Sequence, residues 1–333
     1  MSEFRQDKAT REWIVIATER AKRPNEFRMK RSAGNLALAH ELCALCPGNE
    51  AMTPPELIAY RHGGQENGPG WWVRVVPNKY PALTPEGSID RKMEEGFFRK
   101  MDGVGQHEVI VDSPRHDCAL PLMDDWQVEE ILRAYRERFL ALQQDARIKL
   151  IIIFKNHGLA AGSSLLHPHS QIIATSVVPL NIRNKLYEAA RYYDEHGRCV
   201  YCDMVREELR DGKRIVEEDD AFIVYHPFAS RVPFETWIVP KGHEACFALI
   251  SPHEAKAFAR TLKSVWLKLY LALNDPDLNY VLHTRRSMHE VSESYHWHLQ
   301  ITPRFTTAAG FELGSGIYIN TALPEETATF LRE

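Results

Sequence analysis

The chain carries the same order of cysteine and histidine residues twice, and this repeat constrains its fold more than any other feature. Each copy begins with a Cys-x-x-Cys pair, continues to a single histidine and ends in His-x-His-x-Gln. The single histidine precedes the His-x-His by 51 residues in the first copy and by 53 in the second. The interval from the cysteines to that histidine is longer in the first copy, 70 residues against 41, so we place additional chain around its Gly-rich segment at 61–72. The repeat predicts two related halves.

Both copies contain an amphipathic helical pattern between the single histidine and the His-x-His. At 124–145 and at 251–275 apolar residues recur every three or four positions, and each stretch opens with a capping-type residue before an acidic first turn. A β-rich run follows each of them, at 148–156 and at 279–285. Each copy therefore predicts strand, strand, helix, strand, strand, which is an α+β layer with a helix packed on a mostly antiparallel sheet.

A helical connector is predicted between the two copies, at 177–197. We accordingly divide the chain into an N-terminal catalytic domain at 1–180 and a C-terminal domain at 181–333. The second half reads as a structural copy, because "RRSMHEVSESY" stands where the first half has a Gly/Ser-rich turn.

Each copy supplies two cysteines and two histidines, the tetrahedral set of sulfur and nitrogen ligands that Zn²⁺ prefers. The first set is Cys43, Cys46, His116 and His167, and the second is Cys199, Cys202, His243 and His296. A Cys-x-x-Cys pair taken alone is also compatible with redox chemistry, with buried thiols or with chance. Because the order occurs twice, we expect one or two zinc ions per chain, mainly structural; loss of one metal is the alternative for either site.

The stretch "LLHPHSQIIA" at 165–174 places three polar side chains two residues apart in an apolar run. Side chains alternate along a strand, so His167, His169 and Gln171 lie on one face if the segment is extended. If His167 binds zinc, His169 remains as a neutral imidazole, a competent nucleophile near pH 7 that can attack phosphorus and form a covalent intermediate. Gln171 can donate a hydrogen bond but cannot shuttle a proton, which favours group transfer over hydrolysis.

Composition excludes several other classes of function. The formal net charge is −4 over 333 residues, so nothing in the overall charge indicates a nucleic-acid partner. No apolar segment reaches the roughly 20 residues that a membrane span requires, and the N-terminus lacks an apolar signal core. Six cysteines without such a signal favour thiols or metal ligands over disulfides, and we expect a cytoplasmic protein.

The segment "NHGLAAGSSLLHPHSQIIA" resembles the active-site signature of galactose-1-phosphate uridylyltransferases, a branch of the histidine-triad superfamily. Further matching segments span nearly the whole chain; they are "ERAKRP", "CALCPGNE", "VRVVPNKYPAL", "SPRH", "PFETWIVPKGH" and "HWHLQITPR". The resemblance implies two tandem histidine-triad-like domains that form a half-barrel. It also implies a homodimer with composite active sites, in which nucleotide sugar and sugar 1-phosphate are the small-molecule partners.

By this resemblance, His169 is the nucleophile that takes UMP from UDP-glucose and passes it to galactose 1-phosphate in a ping-pong reaction, while Gln171 steadies the transferring phosphate. The resemblance also implies a set of substrate-binding positions, all named by matching motifs. They are Arg20, Arg23, Asn78, Tyr80, Asn156, Gly162, Ser164 and Glu312.

Three departures from the family pattern leave the substrates open. Lys79 stands where many relatives have Asp, and Lys185 lies near the place where sugar transferases carry an acidic ligand for a second metal, so His283 is not assigned as a ligand. The tail at 309–321 resembles a subgroup that also contains plant ADP-glucose phosphorylases. An ADP-glucose or adenylylsulfate phosphorylase that moves AMP to inorganic phosphate is therefore the alternative. A non-catalytic nucleotide-binding module and a nucleotide-sugar hydrolase are less favoured.

Overall fold

The computed structural model describes residues 2–17, 23–29, 43–285 and 292–333. Within them, fifteen strands and six α-helices follow one another along the chain. The strands are β1 (Glu3–Gln6), β2 (Trp13–Ile16), β3 (Ile58–Arg61), β4 (Trp71–Pro77), β5 (Lys92–Glu94), β6 (Phe98–Lys100), β7 (Gly105–Val111), β8 (Leu150–His157), β9 (His169–Thr175), β10 (Ile215–Glu218), β11 (Phe222–Tyr225), β12 (Thr236–Pro240), β13 (Leu278–His283), β14 (His298–Pro303) and β15 (Ile319–Asn320). The helices are α1 (Asp125–Leu142), α2 (Leu180–His196), α3 (Val200–Asp211), α4 (Pro252–Leu273), α5 (Gly310–Ser315) and α6 (Pro324–Arg332).

Ten of these strands form one sheet in the order β10-β11-β12-β14-β13-β8-β9-β7-β4-β3, and every neighbouring pair is antiparallel. The order is the same when it is read outward in either direction from the β8–β13 pair, so the sequence repeat is visible as a repeat of strands. The predicted α+β fold with a mostly antiparallel sheet is confirmed. In each half, three strands of this sheet precede the helix, one more than the sequence pattern predicts.

One face of the sheet is covered by α1 and α4, which bury the apolar positions that their periodicity predicts. In α1, Val128 and Phe139 are fully buried, and in α4 Leu262 and Trp266 are as well. The side chains alternate along β8 and β9: most of those that face the helices are buried, and most of those that face away, such as Asn156 and Gln171, are half-buried. His169 faces away from the helices but is only 7% exposed. The half-buried face of these two strands carries the polar residues of the candidate site.

The ends of the helices agree in part with the predicted caps. Ser251 accepts the Glu254 N–H at 3.2 Å, and the Glu254 carboxylate accepts the Ser251 N–H at 2.9 Å, so α4 begins with a complete capping box. Asp124 occupies the same position before α1 but makes no side-chain cap there. The predicted connector is α2, which ends at Gly197 in the left-handed conformation, with φ of 65°.

The additional chain of the first copy includes more than the Gly-rich segment. That segment forms the turn between β3 and β4, and an exposed hairpin of β5 and β6 follows it. A separate three-stranded sheet joins β1 and β2 to β15 near the C-terminus, and it packs on the second half through Ile14, Ile16 and Ala229. Among the described helices, not one combines the length and apolar character needed to cross a membrane.

Candidate functional site

The first repeated cysteine pair and its two histidines come together where β7 ends and β9 begins. The ligand atoms of Cys43, Cys46, His116 and His167 all lie within 4.8 Å of one another, and all four side chains are buried. Cys46 Sγ lies 3.2 Å from Nδ1 of His116 and 3.5 Å from Nδ1 of His167. Burial lowers the pKa of His167 to about 4, so its ring is neutral and can offer a lone pair to a metal.

The second set forms a similar cluster in the C-terminal half. Ligand atoms of Cys199, Cys202, His243 and His296 lie within the same 4.8 Å of one another. Cys202 Sγ lies 3.2 Å from Nδ1 of His243 and 3.4 Å from Nδ1 of His296. This cluster differs in access, because His243 is exposed and Cys202 is half-buried. Cys199 occupies the position directly before α3, without a side-chain hydrogen bond to the helix.

Both clusters have the geometry that a tetrahedral metal site needs. With Zn–S of about 2.3 Å and Zn–N of about 2.0 Å, neighbouring ligand atoms are roughly 3.5 Å apart, close to the separations in both clusters. All four histidines turn Nδ1 toward the sulfurs. In each cluster one histidine also has Nε2 on a backbone carbonyl, His167 on Ser113 O at 2.7 Å and His243 on Ser292 O at 3.2 Å. Such outer contacts orient a ligand ring and fix its tautomer, so the residues present fit a metal ion.

His169 stands at the start of β9 with one ring nitrogen committed. Its Nδ1–H donates to His167 O at 2.8 Å, which leaves the lone pair on Nε2. Burial is the main cause that lowers the pKa of His169, so the imidazole is held neutral. A neutral ring with an oriented lone pair is what nucleophilic attack on phosphorus requires. His167 therefore links the metal cluster to the candidate nucleophile through its own carbonyl.

Gln171 lies on the same face of β9 and is held by a histidine on β7. The Ala82 N–H donates to Nδ1 of His107 at 3.2 Å, so the ring proton is on Nε2 and is donated to Gln171 Oε1 at 2.9 Å. The amide NH₂ of Gln171 is then the group left to meet a ligand. Asn78 Nδ2 also lies 3.1 Å from Nε2 of His107. Because Asn78 Oδ1 accepts the Tyr80 N–H, both nitrogens are donors, and this contact is not a hydrogen bond.

Asn156 and the loop after it line the other side of His169. Phe154 pairs with Gln171, so Asn156, two residues further along β8, shares the face of Gln171 and His169. Gly162 has φ of +84°, a left-handed conformation that favours glycine, and a Cβ placed there would meet no atom within 4 Å. Ser164 is exposed. The loop thus leaves open space at Gly162.

Within the described part of the chain, the remaining predicted substrate-binding residues are not brought together with His169. Tyr80 follows Asn78, but its side chain is 82% exposed. Arg23 precedes a short helical turn whose Phe27 packs on the second half, and Glu312 accepts the Ala309 N–H at the start of α5. Neither makes a described contact with β8 or β9. Arg20 lies outside the described residues.

A buried ion pair lies beneath His169, on the face of the sheet that α1 covers. Lys155 is almost fully buried, pairs with the Asp112 carboxylate and donates to His169 O at 2.9 Å. Ser170 Oγ donates to the same carboxylate at 3.0 Å. Tyr135 of α1 donates to that hydroxyl. The network anchors the backbone of β9 at the residue that carries the candidate nucleophile.

Sequence reasoning missed His107, Asp112, Lys155 and Asn279. A signal exists for Lys155, since a lysine inside the apolar run "LIIIFKN" predicts a buried partner. His107 opens "HEVIVDSPRH", the motif that ends in the predicted ligand His116, but nothing in the motif indicates a separate role for it. No local pattern indicates Asn279, because its role depends on the pairing of β8 with β13.

Comparison with known proteins identifies the family of the chain. The family model described as the galactose-1-phosphate uridyl transferase N-terminal domain matches residues 1–179, and the model of its C-terminal domain matches 185–313. ADP-glucose phosphorylase of Arabidopsis thaliana is 36% identical over 336 residues, covering 99% of this chain and 92% of that protein. Galactose-1-phosphate uridylyltransferase of Thermotoga maritima is 30% identical over 343 residues, covering 100% of this chain and 98% of that protein.

A solved structure extends the comparison to the backbone. The crystal structure of the Arabidopsis thaliana ADP-glucose phosphorylase with bound ADP-glucose gives a TM-score of 0.83 at 32% identity and covers 100% of this chain and 99% of that one. Both family models, the full-length relatives and the shared fold lead to the same conclusion: the chain belongs to the galactose-1-phosphate uridylyltransferase family of enzymes.

Proposed function

We propose that this protein transfers a nucleotidyl group from a nucleoside diphosphate glucose to a phosphate-bearing acceptor, through a covalent nucleotidyl-His169 intermediate. The observation that carries the proposal is the hydrogen bond from His169 Nδ1–H to His167 O at 2.8 Å, which presents the Nε2 lone pair on the open face of β9. The amide donors of Gln171 and Asn156 lie on the same face. Covalent catalysis divides the transfer into two displacements at phosphorus.

In the first displacement, Nε2 of His169 forms a bond to the α-phosphorus of the donor, and the bond from that phosphorus to the sugar-phosphate oxygen breaks. The electron pair leaves with glucose 1-phosphate, which is already an anion and needs no proton. Positive charge that develops on the imidazole is stabilised through Nδ1–H and the carbonyl of His167. In the second displacement, an acceptor phosphate oxygen attacks phosphorus and the N–P bond breaks, which returns the lone pair to His169.

Two donors fit this scheme, and they lead to different products. With UDP-glucose, UMP passes to galactose 1-phosphate and gives UDP-galactose; with ADP-glucose, AMP passes to inorganic phosphate and gives ADP. The relative that acts as an ADP-glucose phosphorylase shares 36% identity with this chain, against 30% for the uridylyltransferase. This difference favours ADP-glucose as the donor. ADP-glucose, the alternative in the sequence analysis, therefore becomes our first candidate, and UDP-glucose becomes the second.

The proposal is tested by isotope exchange without an acceptor. Labelled glucose 1-phosphate, mixed with enzyme and either ADP-glucose or UDP-glucose, is expected to enter the nucleotide sugar, because the first displacement is reversible and complete in itself. The donor that supports faster exchange identifies the base. A strict need for both substrates before any label moves would argue for direct transfer and against the covalent route.

We propose Zn²⁺ as the metal in both Cys₂His₂ clusters. When bound to the first cluster it would hold the backbone of His167, whose carbonyl orients His169, and so its contribution is structural. The second cluster lies away from β9 and would stabilise the start of α3 in the other half.

Metal removal is expected to separate the two sites. Because His243 is exposed and the first cluster is buried, a chelator should release about one zinc per chain rapidly, with little loss of transfer, and the second slowly, together with activity. Metal analysis and exchange rates measured on the same samples check this, with His243→Ala and His116→Ala as matched variants that each lack one site. Purified protein with no zinc, or release of both ions at one rate, would contradict the assignment.

We further propose that the active unit is a homodimer. Arg23 and Glu312 are matched to substrate contacts, yet neither contacts β8 or β9 in the described part of one chain. Arg23 precedes the turn whose Phe27 packs on Phe234 of the second half, and Glu312 lies on α5 of that half. Exposed apolar side chains occur on α5 and on the β1–β2 hairpin; these are Phe4, Trp13, Phe311 and Leu313. Exposed apolar side chains also occur in the loop between β8 and β9 and in the segment after Asn78; these are Tyr80, Leu159, Leu165 and Leu166. Contact between these surfaces in two copies would bury both and bring the missing groups to the site.

A further inference from the structure

The C-terminal half reaches into the candidate site, although the sequence reading treats it as a structural copy. Three hydrogen bonds join residues 277–279 of that half to the end of β8 and the loop that follows it, one donated by the loop and two donated by Asn279. Asp277 accepts the Ala160 N–H at 2.6 Å, and Asn279 donates to Ala161 O at 2.8 Å and to Asn156 Oδ1 at 2.7 Å. All three contacts join the two halves beside the β8–β13 pair.

The contacts with Asp277 set the path of the loop. A Cβ on Gly158 would lie 2.0 Å from Asp277 Oδ1, so only glycine lets the loop approach this closely. Gly158 also has φ of +85°, which favours glycine. The Ala160 N–H is spent on Asp277 and is not available to a ligand. The loop is therefore docked on the second half before any substrate arrives.

The contacts with Asn279 set the direction of the Asn156 amide. The guanidinium of Arg304 can only donate, and it donates through Nε to Asn279 Oδ1. A backbone carbonyl can only accept, so Ala161 O identifies the other end of Asn279 as its NH₂ group. That NH₂ also meets Asn156, which must accept through Oδ1. The NH₂ group of Asn156 is then turned to the open face of the sheet, where it has no hydrogen bond within the described residues.

We propose that Asn279, held by Arg304, is a positioning residue that keeps Asn156 as a hydrogen-bond donor toward the phosphate of the nucleotide. This inference rests on the proposed function, since it takes a phosphate oxygen as the partner of Asn156. The second half then takes part in the reaction, because hydrogen bonds connect Arg304 to Asn279 and Asn279 to Asn156. Asn279 thus makes the Asn156 amide a donor, as His107 does for Gln171. Two donors that face the same site suit an anionic group such as a phosphate.

The test is a double-mutant cycle between Asn279 and Asn156. In Asn279→Asp, a carboxylate oxygen faces Asn156, whose amide turns over and presents its oxygen to the phosphate. We expect exchange to fall by about 10- to 100-fold, since this removes one pre-organised donor. In an Asn156→Ala background the same change should cost less than about threefold, because its target is gone. Arg304→Gln is a milder variant of the same chain and should give a smaller loss.

A second measurement, calorimetric binding of AMP and UMP, keeps the inference separate from the reaction. Thr302, which pairs with Asn279 on β14 and is half-buried like it, provides the matched control Thr302→Val, expected to leave binding and exchange unchanged. If Asn279→Asp weakens nucleotide binding only when Asn156 is present, the inference is supported. If no exchange occurs in the same experiments, only the proposed function is wrong. If the wild type shows exchange, and Asn279→Asp lowers the exchange rate equally with and without Asn156 or does not lower it at all, the inference is wrong. The proposed function is then unaffected.

Discussion

Replacement of His169 by alanine is expected to abolish nucleotidyl transfer, with a loss of at least about 10 000-fold in exchange rate, because no other group on the face of β9 has a lone pair on a neutral nitrogen. The fold should survive, since His169 contributes one hydrogen bond through its side chain, to His167 O. Zinc content, thermal unfolding and nucleotide binding measured beside exchange separate loss of chemistry from loss of structure.

The second half supplies the matched control for this variant. His298 has the same local arrangement, with Nδ1 on His296 O at 3.1 Å, but its ring is stacked between Trp237 and His283, with centroid distances of 4.5 and 4.9 Å. Because these rings enclose it, His298→Ala should lower the free energy of unfolding and leave exchange per folded molecule unchanged. Full activity in His169→Ala, or equal loss of activity in both variants, would contradict the assignment of the nucleophile.

Replacement of Asp112 by alanine is expected to cause a large loss of stability, about 3–5 kcal/mol, because it leaves the Lys155 ammonium buried without its counter-charge. Asp112 is fully buried and Lys155 is 2% exposed, so water cannot take the place of the carboxylate. The Ser170 hydroxyl loses its acceptor in the same variant. Denaturant unfolding followed by fluorescence measures the change in free energy.

Two comparisons isolate the buried charge as the cause. In the exposed hairpin, Glu94→Ala removes the partner of Lys100 from an ion pair of 2.7 Å whose side chains are at least half exposed, and no measurable change is expected. Combining Asp112→Ala with Lys155→Met removes both charges and should recover part of the stability. An Asp112→Ala variant as stable as Glu94→Ala would show that the network under His169 contributes little.

The parts of the site that the sequence predicts are those set by local spacing or by a repeat. Cys43 and Cys46 are brought together by a short turn, and their histidines can be identified because the same order occurs again from Cys199 onward. The shared face of His169 and Gln171 follows from the two-residue period of a strand. The α+β class follows from helical patterns placed between β-rich runs.

The parts that the sequence does not predict depend on which strands become neighbours. Asn279 meets Asn156 only because β13 pairs with β8, and His107 meets Gln171 only because β7 pairs with β9. Neither pairing can be predicted from local patterns, because the residues of a strand do not indicate which other strand will pair with it. The same reason explains the extra strands β3 and β10 at the edges of the sheet. Lys155 is the exception, because a lysine in an apolar strand predicts a buried partner, although the sequence does not show which residue it is.

The most direct test of the central claim is the intact mass of the protein after mixing with ADP-glucose and, separately, with UDP-glucose, quenched under mildly alkaline conditions that preserve a phosphoramidate. We expect one nucleotidyl group per chain, mapped to His169 after digestion and absent from His169→Ala, with the adenylyl adduct as our first candidate and the uridylyl adduct as the second. If neither donor leaves an adduct although calorimetry shows that both bind, the covalent mechanism is wrong and the site only binds nucleotides.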